Sequence, residues 1–119
     1  MNEMAEFVWA APIVKVSCDK GRPGVDPEHL SVNTNGNQPT LIIWQGDPSV
    51  TEITDIVIHD PDGDYEFDQP ARLGPKTWKV IDKCAHNKPY KYDITVICKN
   101  SEEEVTLDPY IDNEDTGGH

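Results

Sequence analysis

Cys84-Ala85-His86 is the one place in the chain where a thiol and an imidazole stand two residues apart. Such a pair could ligate a transition metal or supply an activated thiolate. Zinc asks for four ligands, usually from two closely spaced pairs, and here there is a single pair with His29, His59, His119 and Cys98 left to complete it. The carboxylates suggest a second chemistry. Asp60-Pro61-Asp62-Gly63-Asp64-Tyr65-Glu66-Phe67-Asp68 alternates acids as calcium loops do, but Gly63 stands fourth instead of sixth and the twelfth residue is Ala71 instead of Glu. The same alternation fits a strand with Tyr65 and Phe67 pointing inward and Asp64, Glu66 and Asp68 outward. The chain has no GxSxG elbow and no glycine-rich phosphate loop. A carboxyl group becomes a general acid only where burial raises its pKa, and most of these acids fall in turns or on wet faces. The expectation is therefore no catalytic residue, no metal ligand and no cofactor.

The elements that would position these residues are strands. Apolar residues recur with period two in short runs punctuated by Gly, Pro, Asn and Asp, which predicts an all-β fold. Eight strands are expected, at Ile13–Cys18, Leu30–Asn33, Thr40–Gln45, Ile53–His59, Tyr65–Asp68, Thr77–Asp82, Tyr90–Lys99 and Glu104–Leu107. Val14, Val16 and Cys18 form one inward row, and Tyr90, Tyr92, Ile94, Val96 and Cys98 form another. Leu41-Ile42-Ile43-Trp44 is apolar on both faces and suits a central strand covered on two sides. Arg22-Pro23-Gly24, Asn35-Gly36-Asn37, Asp60 to Asp64 and Gly74-Pro75 read as reversals, with Asp60 to Asp64 the strongest hairpin signal. With 119 residues, the chain is long enough for one β-sandwich domain over residues 1–111, followed by a flexible acidic tail over 112–119.

Charge and cysteine usage narrow the class further. There are 22 acidic and 10 basic residues and a formal net charge of -12, which disfavours binding to nucleic acid or anionic lipid. No run of 18 apolar residues exists, and Met1 to Val8 carries Glu3 and Glu6 without Lys or Arg, so neither a membrane span nor a secretory signal is expected. Three cysteines, an odd number without CxxC spacing, read as reduced thiols in a cytoplasmic protein. No Lys or Arg occurs from Gly24 to Ala71, whereas seven of the ten basic residues fall between Arg72 and Lys99.

The stretch Val25 to Trp44 resembles the first half of a cupredoxin, in which a hydrophobic-x-Pro-x-x-aliphatic-x-Val segment leads through a glycine turn to a strand ending in Trp. Tyr90-Lys91-Tyr92 resembles the paired-tyrosine strand before the copper loop, and Leu107-Asp108-Pro109-Tyr110-Ile111 resembles the closing strand. The same Tyr-x-Tyr and Leu-Asp-Pro-x-Ile ending is similar to that of small uncharacterised bacterial proteins. The resemblance implies a cupredoxin-like or immunoglobulin-like sandwich. It does not carry copper over: Gln45-Gly46-Asp47-Pro48-Ser49 follows Trp44 without a His, Ile94 stands where the family's Cys is expected, and no His or Met loop precedes the closing strand.

A patterned sandwich without a complete chemical constellation points to a non-catalytic module that binds another protein, with edge strands as natural docking places. The contact residues expected are Trp9, ahead of the first strand, and Trp78, Arg72, Lys76 and Lys79, with Trp78 bracketed by Lys76 and Lys79. The alternatives are an acidic mimic of nucleic acid using Asp47 to Asp68 against a partner's basic groove, a small modifier using Gly117-Gly118, and an enzyme or metal carrier built from His59, Cys84, His86 and Cys98.

Overall fold

The computed structural model describes residues 11–115, and these form two packed sheets. The strands are β1 (Ile13–Asp19), β2 (Arg22–Asp26), β3 (His29–Asn33), β4 (Thr40–Gly46), β5 (Val50–Ile58), β6 (Ala71–Gly74), β7 (Thr77–Asp82), β8 (Pro89–Cys98), β9 (Glu104–Leu107) and β10 (Tyr110–Glu114). One sheet runs β2-β1-β4-β7-β6 and the other β3-β10-β8-β5, with β9 on β8. The pairs β1–β4 and β3–β10 are parallel; the others are antiparallel. The all-β sandwich read from the period-two patterning is thus present.

The expected inward rows are the core. Val14, Val16, Tyr90, Tyr92, Ile94, Val96 and Cys98 are all buried, and Cys18 is half-buried. Trp44 from β4 and Tyr92 from β8 meet between the sheets edge to face at 5.3 Å, and the Trp44 indole N–H donates to the Tyr92 hydroxyl at 3.0 Å. The bond satisfies two polar atoms that burial would otherwise leave without water. β4 is central in its sheet, but one of its faces is only half covered: Ile42 and Trp44 are buried, whereas Leu41 and Ile43 are intermediate.

Four expectations are corrected. Arg22-Pro23-Gly24 is a strand, because the reversal lies one step earlier at Lys20 (φ 55°) and Gly21 (φ 79°), a two-residue loop in the left-handed region that joins β1 to β2. Pro23 is tolerated there because β2 is an edge. The segment Tyr65 to Asp68 is not a strand paired with β5; it crosses to the other sheet and makes one bridge, Phe67 with Asp82. The expected alternation is inverted at two positions and kept at the next two: Glu66 is fully buried and Tyr65, at φ 55°, is 79% exposed, whereas Phe67 packs against the core and Asp68 is exposed. At the C-terminal end, β10 continues to Glu114 with Asn113 buried, so the ordered sheet passes the boundary expected at residue 111.

The cysteines depart most from expectation. Cys18 and Cys98 form a disulfide that ties β1 to β8, and so one sheet to the other, while Cys84 is free and buried. The reading of three reduced thiols is therefore wrong, and the cytoplasmic placement that rested on it loses that support. No helix among the described residues is long and apolar enough to cross a membrane.

Candidate functional site

A groove of about 260 Å³ opens between the edge strand β5 and the crossing segment, lined by Asp55, Ile56, Val57, Ile58, Asp60 and Phe67 to Pro70. The backbone of β5 forms one wall. Among the described residues β5 pairs only with β8, and the His59 N–H bond to the Lys91 carbonyl at 2.9 Å fixes which residues face it. Hydrogen-bonded and non-bonded pairs alternate in an antiparallel ladder, so Val57 and His59 face β8 while Ile56 and Ile58 turn their N–H and C=O groups to the outer edge. Val57 is 45% exposed, leaving an apolar contact beside that edge.

The opposite wall is held from behind. The Asp60 carboxylate accepts the N–H groups of Asp64 and Tyr65 at 2.9 and 2.7 Å, which builds the turn. Asp64 accepts from the Tyr90 hydroxyl at 2.8 Å and pairs with Lys88, which holds its carboxyl below the usual range. Phe67 packs edge to face on Tyr90 at 5.0 Å. Asp68 accepts the Ile81 N–H at 2.7 Å.

Glu66 anchors the wall in a buried polar network between the sheets. One carboxylate oxygen accepts the N–H groups of Ala85 and His86 and the Asn113 amide, each at 2.9 Å; the other pairs with His86 Nδ1 at 2.6 Å. The Asn113 amide also donates to Asp82 at 2.9 Å, and Asp82 accepts the Cys84 N–H at 3.0 Å. Asp82 Oδ2 and Asn113 Oδ1 are buried without a partner among the described residues. Burial, opposed by the Asn113 and Cys84 hydrogen bonds, pushes the Asp82 carboxyl up to about 6, and neighbouring Glu66 adds to the rise. The hydrogen bond to Glu66 raises His86 above its ordinary value. Most acids were expected in turns or on wet faces; Glu66 and Asp82 are exceptions, both fully buried.

The pair that opened the sequence reading is dismantled by its surroundings. Cys84 sits at φ 59° with its thiol 3.5 Å from Thr40 Oγ1, and burial pushes that thiol up to about 11, far from a thiolate at neutral pH. His86 Nδ1 is taken by Glu66, His59 pairs with Asp93 at 2.9 Å and Cys98 is spent in the disulfide. No group of three or more His, Cys, Asp or Glu among the described residues is arranged to hold a metal.

Of the expected contact residues, Arg72, Trp78 and Lys79 lie on the paired strands β6 and β7, with Lys76 in the turn between them. Trp78 is 8% exposed and its indole N–H donates to the Ile53 carbonyl at 2.9 Å, so it covers the core and lacks the exposure of an anchor. Arg72 pairs with Glu52 at 2.6 Å, Lys76 donates to the Asp47 carbonyl at 3.0 Å, and Lys79 is half-buried on β7. Trp9 and Gly117-Gly118 lie outside the described residues. The acidic run from Asp47 to Asp68 is not a continuous charged row, since Glu66 is buried and Asp62 and Asp64 pair with Lys88.

Sequence reasoning missed the Glu66–Asp82–Asn113 network because nothing local marks it: Glu66 stands in an unbroken alternation of acids and aromatics. No protein-family model matches the chain, and no curated protein matches it.

Proposed function

We propose that this chain is a non-catalytic protein-binding module, a cupredoxin-like sandwich without copper, that docks an extended segment of another protein along the outer edge of β5. The observation that carries the reading is the outward-facing backbone of Ile56 and Ile58 opening on a groove whose far wall is pinned by Asp60, Glu66 and Asp68. A preformed slot beside unpaired backbone groups is what strand addition uses. The cupredoxin-like description is supported by the resembling segments folding as β3, β4, β8 and β10, with Trp44 against Tyr92 in the core. The non-catalytic description is supported by the buried, protonated Cys84 thiol and the engaged His86. The Cys18–Cys98 disulfide supports action in an oxidising compartment in place of the cytoplasmic setting first expected.

The test is selection of a displayed random-peptide library on the immobilised, disulfide-intact chain, followed by amide hydrogen exchange. Selected peptides should slow exchange at Ile56 and Ile58. Failure to enrich any peptide, or binders that leave those two amides unprotected, would reject edge docking.

A further inference from the structure

We infer that the β5 groove takes a cationic segment, an extended stretch of another protein with lysine or arginine at alternate positions. The inference rests on the edge-docking reading above and adds the partner's chemistry to it. Asp55, Asp60 and Asp68 line the groove, and no Lys or Arg does. None of the three carboxylates forms an ion pair among the described residues. Arg72 is already spent on Glu52 and Lys88 on Asp62 and Asp64, and neither Lys79 nor Lys83 is among the lining residues. Asp60 and Asp68 are moreover fixed by backbone N–H donors, so their charges are held in place before a partner arrives.

Charge selects this groove over the other one. A second opening of about 470 Å³ lies beside β3, between Pro12 and Thr40, and its lining is Pro, Ser, Val, Asn, Gln and Thr without a charged residue. A strand laid on β5 advances roughly 3.3 Å per residue and sends alternate side chains to one face, so cations spaced by two share a single face of the added strand. The backbone bonds would supply affinity for any extended chain, and the carboxylates would supply the choice among chains.

The probes are three labelled octapeptides, alternating lysine and threonine, serine and threonine, or glutamate and threonine, titrated against the full disulfide-intact chain by fluorescence anisotropy. The lysine peptide should bind most tightly and weaken steeply as salt rises from about 50 mM to about 500 mM. Asp55→Asn with Asp68→Asn should weaken it about tenfold, at roughly threefold per rim charge. Glu102→Gln with Glu103→Gln removes the same two negative charges from exposed positions that do not line the groove and should leave binding unchanged. Asn at position 68 keeps a carbonyl oxygen for the Ile81 N–H, so the wall should stay in place. Equal binding of the lysine and serine peptides would overturn the cationic partner while leaving edge docking intact. Equal loss in both double variants would reduce the effect to overall charge and overturn the proposal. Absence of binding by all three peptides would overturn it too, and the library selection would then decide whether edge docking falls with it.

Discussion

Replacing Asp82 by asparagine should abolish a specific pH dependence of folding. Asp82 has no exposed surface, and burial raises its carboxyl from 3.8 to about 6. An acid whose folded pKa lies above its unfolded value binds its proton more tightly when folded, so the native state is favoured while the proton is on and is penalised as pH rises through that interval. About two pH units at about 1.4 kcal/mol each amount to roughly 3 kcal/mol lost between acid and neutral pH. Asparagine keeps an oxygen for the Cys84 N–H and the Asn113 amide but cannot ionise. The assay is urea unfolding of both proteins, with the disulfide intact, at several values between pH 3.5 and pH 7.5. The stability difference between variant and parent should shift by about 3 kcal/mol in the variant's favour across that range, about 1 to 3 M in relative midpoint. Taking the difference cancels His86, whose raised pKa also weakens the fold as pH rises, and Asp47 and Asp64, whose lowered pKa values act in the opposite sense at acid pH. A difference that stays flat, or moves toward the parent as pH rises, would refute the burial argument.

Two further changes test the core. Cys18→Ser with Cys98→Ser opens a bridge between residues 80 apart, and on loop-closure entropy alone this should cost about 4 to 5 kcal/mol, read as a fall in the thermal midpoint of roughly 15 to 30 °C; a fall under a few degrees would mean the sheets do not need the tie. Tyr92→Phe leaves the buried Trp44 indole N–H without its acceptor and should cost about 1 to 3 kcal/mol in urea unfolding, with a change in tryptophan fluorescence; no measurable loss would show that bond to be dispensable.

Much of the sandwich was legible because its core strands are simple amphipaths. In β1 and β8 every inward position is apolar, and nothing competes with the period-two pattern. β6 was invisible because Ala71-Arg72-Leu73-Gly74 is a short edge with no buried residue to impose alternation. β10 was not among the expected strands, because its buried residue after Ile111 is Asn113, a polar side chain kept inside by two carboxylates from distant parts of the chain. Glu66 hid for the same reason: a buried acid is tolerable only when several donors meet it, and here they come from residues 85, 86 and 113. The disulfide joins two cysteines 80 residues apart, a distance over which spacing carries no signal. The groove required knowing that β5 is an edge, which depends on sheet order and not on any property of its own residues.

Amide NMR of the isotope-labelled, disulfide-intact chain during titration with the alternating lysine–threonine peptide tests the central claim most directly. Shifts should concentrate on Asp55 to Ile58 and Phe67 to Gln69, the two walls of the groove. Shifts gathered instead on Ser31 to Thr40, or on Arg72 to Lys79, would contradict docking at the β5 edge.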